Sequence, residues 1–299
     1  MFKQESKHNQ RGCRFGNLFF QCHQTMNTNN IKKVLQILSS INDTEESGYS
    51  MGKNTIKRIF ESLDTNSKDN IIAKLTLIDS MYSTQMNRRY YGLEELSDVL
   101  AELQKKCNLS TLFLNFLKDK DIEKLTIQSG GKIKNLFKEN YGIGKDGNDK
   151  GQAVSLISKY AYFETNFQFP IYDSIVREMY PLIWQYCDFP KREMPKMSTL
   201  VNDIVVFIEA IDFLKEKLGN PKQLTYDNLD RLLWHTGKIL RGNLSLILTM
   251  EEYQKYGREF QEKNFDFSKY DLSKMTFLRQ KPMLKGFFEF AKELSTIKM

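Results

Sequence analysis

Apolar residues recur at helical spacing along most of this chain, and that periodicity constrains its fold more than any other feature. In Ile31–Ile41 the residues Val34, Leu35, Leu38 and Ile41 share one stripe, the pattern of a helix with one face to bury. Comparable patterns predict helices over Ile56–Leu63, Asn70–Tyr82, Leu93–Cys107, Thr111–Leu117, Gly131–Glu139, Gln152–Glu164, Ser174–Cys187, Thr199–Leu218 and Leu224–Leu240. Strict polar/apolar alternation is scarce, and 299 residues hold only 6 prolines, so a sandwich or barrel is excluded. The expected class is all-α.

Breaks in the pattern divide the chain. Asn42–Asn54 is polar and carries two glycines, which reads as a loop. Tyr141–Gly151 (YGIGKDGNDKG) is a glycine-rich turn, and Phe169-Pro170 stops the helix before it. Pro181 kinks the helix that contains it, Lys191–Lys196 reads as a linker, and Gly219-Asn220-Pro221 ends the longest helical run. Three regions follow: a polar arm over 1–30, a helical domain over 31–250, and a basic segment over 251–299. The last carries the surplus of Lys and Arg seen in Tyr253–Met299.

Composition narrows the function. Hydrophobic residues make up 40% and charged residues 27%, an ordinary globular balance. No apolar run reaches the roughly 18 residues a membrane span requires. The four cysteines form no CxxC pair, which predicts reduced thiols and a cytoplasmic setting, or a nuclear one in a eukaryote. His8, Cys13, Cys22 and His23 are metal-ligand types, but their spacing matches no zinc finger, so no metal is expected. The formal charge of +7 is only modestly basic. Arg88-Arg89 and Lys132, Lys134 and Lys138 nonetheless supply cations for a phosphate backbone.

The chemistry concentrates around the glycine turn. Successive glycines let a backbone approach a phosphate closely, and the helix that follows offers free N–H donors. Asp173 precedes Ser174–Cys187 at a preferred N-cap position, and it becomes catalytic only where a cleft reaches it. Gln152, Ser155 and Lys159 fall on one helical face. Tyr160, Tyr162, Phe163 and Trp234 are read as core, and His235 has no visible metal partner.

These residues resemble the heart of the helix-hairpin-helix DNA glycosylase superfamily, in an 8-oxoguanine-glycosylase-like version. Gly142-Ile143-Gly144 is similar to its hairpin, and Pro170-Ile171-Tyr172-Asp173 to its aspartate turn. Leu77–Arg89 (LIDSMYSTQMNRR) resembles an upstream segment that carries a wedge glutamine, and Leu229–Lys238 (LDRLLWHTGK) a closing helix. The resemblance implies a two-lobed helical bundle with the active site between lobes. It also implies a monomer that takes double-stranded DNA with one base extruded, hydrolyses the N-glycosidic bond and leaves an abasic site.

Carried over residue by residue, Asp173 stabilises the cationic sugar and orients the nucleophile. Gln85 fills the space left by the base, Arg88 and Arg89 follow it, and Gly142 and Gly144 hold the backbone. Strand-cleaving relatives carry a lysine some 18 to 20 positions before the aspartate; here Ala153, Val154 and Ser155 fill that window. Lys150 and Lys159 lie on either side of it and are the candidate catalytic lysines, Lys150 through a longer loop around Thr165–Phe169; otherwise water is the expected nucleophile, with no cofactor. Action against phages with modified bases extends this reading. A non-catalytic DNA-binding module on the same fold is the alternative.

Overall fold

A computed structural model of the chain describes residues 28–41, 47–196, 203–256 and 272–297. Among them are eleven α-helices and one two-stranded hairpin. The helices α1 (Thr28–Ser39), α2 (Gly48–Ser62), α3 (Lys68–Tyr82), α4 (Gly92–Lys106) and α5 (Leu109–Asp119) come first. The hairpin β1 (Thr126–Ser129) and β2 (Lys132–Asn135) follows, then α6 (Val154–Glu164) and α7 (Ser174–Tyr186). The chain continues through α8 (Ile204–Lys217), α9 (Tyr226–Leu240), α10 (Met250–Tyr256) and α11 (Pro282–Leu294). No described helix is long and apolar enough to cross a membrane.

Helices α2 to α6 pack on one another, while α9 packs against α1, α7 and α11. One continuous core joins the two groups, from Ile56 and Phe60 through Tyr160 and Ile175 to Leu233 and Phe287. The segment set apart over 251–299 contributes to this core where it is described. Its helix α11 buries Met283, Leu284, Phe287, Phe288 and Phe290, and removing that much apolar surface from water makes it part of the fold.

Several expectations need correction. The helix expected over Gly131–Glu139 is instead strand β2 followed by a turn. Gly130 and Gly131, at φ 56° and 78°, form a two-residue hairpin turn whose twist suits antiparallel strands. The chain is thus mostly helical rather than purely so. The loop expected over Asn42–Asn54 contains the start of α2, where Ser47 caps the helix by accepting from the Ser50 amide at 3.1 Å.

Of the polar arm, residues 1–27, including His8, Cys13, Cys22 and His23, lie outside the described residues; Thr28 to Asn30 open α1. The linker at Lys191–Lys196 holds a single turn of 3₁₀ helix over Lys191–Glu193. Helix α8 begins at Ile204, behind an Asp203 cap; the stretch 199–202 of the expected helix lies outside the described residues.

Candidate functional site

Helix α6 ends at Glu164, and Asn166 and Phe167 take left-handed backbone conformations that reverse the chain. The Phe167 amide donates back to the Tyr162 carbonyl at 2.7 Å, closing the turn. The returning segment is then pinned: the Tyr172 amide donates to Ser158 Oγ at 2.9 Å. Asp173 follows as the N-cap of α7 and accepts from the Ile175 amide at 2.7 Å.

This path places Asp173 against α6. Lys159 Nζ lies 3.4 Å from Asp173 Oδ2 and donates to Ser155 Oγ at 2.7 Å. Burial alone would raise the Asp173 pKa. The Lys159 charge and the Ile175 amide outweigh it and hold the carboxyl below its ordinary value. Asp173 is therefore an anion at neutral pH.

A second acidic pair faces the first from α9. Asp227 binds Lys53 through both oxygens, at 2.7 and 2.8 Å, and accepts from the Tyr162 hydroxyl. Asp230, one turn on, is 6% exposed. Its Oδ2 has the Tyr49 hydroxyl at 3.5 Å, and its Oδ1 is buried with no hydrogen-bond partner. Burial, with Asp173 and Asp227 nearby, pushes its pKa up to about 8. The Tyr82 hydroxyl lies within the field of all three aspartates, and with burial they raise its pKa.

An aromatic slot opens beside these groups. It has a volume of about 80 Å3 and is lined by Tyr49, Lys53, Tyr82, Trp234 and Met81, with Gly52 at its edge. Tyr49 and Trp234 rings stand 4.8 Å apart, and Lys159 Nζ lies 5.5 Å from the Tyr82 ring centre. A wider cleft of about 690 Å3 runs between α7, α9 and the end of α11. It is lined by neither Asp173, Lys159 nor Asp230.

The loop after α3 carries the wedge candidates. Asp79 organises it by accepting from Thr84 Oγ1 and from the amides of Met86 at 2.7 Å and Asn87 at 2.8 Å. Ser83 and Gln85 are held at positive φ, a cost that this carboxylate offsets. Gln85 and Arg88 project into solvent, whereas Arg89 Nη1 donates to the Gly151 carbonyl at 2.5 Å. Tyr90 and Ile143 exchange backbone bonds at 2.9 and 3.0 Å, so this loop and the glycine turn form one unit. Tyr82 ends α3 at the slot, three residues from Gln85.

The sequence candidates separate accordingly. Asp173 and Lys159 meet, with Ser155. Lys150 stays within the glycine turn, its amide donating to the Gly142 carbonyl at 3.0 Å and its side chain beside Gly144. Gln152 leaves the Ser155–Lys159 face, since its Nε2 donates to the Lys138 carbonyl at 3.2 Å.

The amides of Gly142 to Gly144 are already used. Gly142 N–H goes to Glu95 at 2.8 Å, Ile143 to Tyr90, and Gly144 to Asn148 at 2.9 Å. None points free toward a phosphate, and a β-hairpin rather than a helix precedes them.

Tyr160, Tyr162 and Phe163 are core residues, while Trp234 both packs and walls the slot. His235 is wholly buried, and its pKa is pushed down to about 3 by burial. Among the described residues no cluster of His, Cys, Asp or Glu could hold a metal.

Sequence reading missed Tyr49, Lys53, Tyr82, Asp227 and Asp230. A signal existed for Asp227, Asp230 and Trp234, which stand at i, i+3 and i+7 along α9 and so share a face. Comparison with protein families, with characterised proteins and with solved structures finds no match for this chain.

Proposed function

We propose that this protein hydrolyses an N-glycosidic bond and releases a base from its sugar. The observation that carries the reading is the pair of buried Lys159 and partly exposed Asp173 beside an aromatic slot. A carboxylate that is ionised at neutral pH stabilises the positive charge that grows on the sugar as the bond breaks, and it then accepts a proton from the attacking water. Tyr49 and Trp234 offer rings against which a planar base is held. Lys159 is ion-paired and buried, which favours a role in placing Asp173 over one as nucleophile.

DNA is the first substrate to test. Gln85 and Arg88 stand exposed a few residues from Tyr82, on a loop that Asp79 has already shaped. An extruded base in the slot would leave Gln85 near the gap in the stack. Base release from duplexes that each carry one damaged or modified base, comparing wild type with Asp173→Asn, decides this. Abasic sites with wild type alone are expected; equal release by both proteins, or none by either, removes the reading.

The engaged amides of Gly142 to Gly144 favour a second reading, a base on a free nucleoside or nucleotide. The same assay with nucleosides and nucleotides separates the two.

A further inference from the structure

We propose that Asp230 is the acid that delivers a proton to the departing base, so that the substrate is an N-glycoside whose neutral base carries an acceptor nitrogen or oxygen. This deepens the reading of an N-glycosidic hydrolase and rests on it.

Three features of geometry support the role. Asp230 Oδ1 is buried yet has no hydrogen-bond partner, a costly state unless a ligand completes it. The residue lies directly behind the slot: Tyr49, which lines it, touches Asp230 Oδ2, and Trp234, which also lines it, is one turn on along α9. The groups around it divide the work. Lys159 neutralises Asp173 and Lys53 neutralises Asp227, so among the described residues no cation is paired with the third carboxyl, which keeps its proton. Its raised pKa agrees with that arrangement. Two carboxyls with opposite protonation states are what an acid and a base acting together require.

The step balances. The bond between sugar carbon and base nitrogen breaks, and its electron pair goes to the base. The Asp230 proton moves to the base's acceptor atom, directly or through the Tyr49 hydroxyl. Water adds to the sugar carbon and gives its proton to Asp173. The products are a neutral free base and a sugar with a hydroxyl in place of the base.

A base that already bears a positive charge leaves without this proton. The test therefore compares release of 7-methylguanine, which is cationic in the glycoside, with release of neutral purines, both as nucleosides and within duplex DNA. Asp230→Asn should lower neutral-base release by about 100-fold or more relative to 7-methylguanine release, and Asp173→Asn should lower both together. The ratio between substrates does not depend on how much variant protein is folded. If Asp230→Asn changes both substrates equally, the acid role is wrong while the hydrolase reading stands. If wild type releases no base from any of them, the hydrolase reading falls and takes this assignment with it.

Discussion

Lys159 Nζ and Asp173 Oδ2 stand 3.4 Å apart, with 2% and 18% of their side chains exposed, although fourteen positions separate them in the chain. The bond from Tyr172 to Ser158 sets this distance by drawing the segment before α7 onto α6. Ala153, Val154 and Ser155, 18 to 20 positions before Asp173, include no lysine, yet the fold brings Lys159 to the same carboxylate.

Lys159→Met removes the buried partner. Leaving one charge of such a pair without its counter-ion costs about 3 kcal/mol or more, measurable by urea unfolding. Losing the ammonium also raises the Asp173 pKa, so the acid limb of base release should move to higher pH. With wild type, borohydride should trap no covalent adduct.

Asp230→Asn should reveal a pH-dependent penalty. The folded pKa is raised from 3.8 to about 8, so the fold binds this proton more tightly than the unfolded chain does. The stability it contributes is full below about 4 and is lost as pH rises to about 8. The melting temperature of the Asn variant should gain on wild type across that interval and level off above it.

Gly52→Ala sets stability against function. An alanine within α2 removes a glycine penalty of about 0.5–1 kcal/mol, so thermal stability should rise. The added Cβ lies 3.1 Å from Met81 Cε at the mouth of the slot. Met81 must then turn inward or outward, and KM should change more than the fold does. A slot of about 80 Å3 is smaller than the roughly 150 Å3 cavity that admits benzene. Entry of a ring therefore depends on that flexible thioether.

Gly237→Ala should do the opposite. Its Cβ would stand 2.3 Å from Ile175 Cγ2 and 3.0 Å from Met179 Cγ, so α7 must move away from α9. Overpacking of this kind costs about 1–3 kcal/mol, more than the helix gains. Because Ile175 holds Asp173 through its amide, activity should fall together with stability.

Helix positions were legible because amphipathic spacing is a local property, and Asp173 was legible because an N-cap after Pro170 is local too. The Gly130-Gly131 turn was missed because its four-residue strands carry too few apolar positions to show alternation against the surrounding helical period. The start of α2 was hidden by polar residues and two glycines, which took Tyr49 and Lys53 out of view. Asp227 and Asp230 share a face of α9, but an aspartate on a helix is ordinarily exposed. Their burial follows from α2, α3 and α6 closing over them, which no single segment encodes.

Asp79 holds the loop from Ser83 to Arg89 in shape through the protein's own hydroxyl and amide groups. Whatever that loop meets, the conformational entropy of arranging it has already been lost during folding rather than at encounter. Association at Gln85 and Arg88 should then carry a small unfavourable entropy, and the loop's amides near Asp79 should exchange hydrogen at the same slow rate before and after binding.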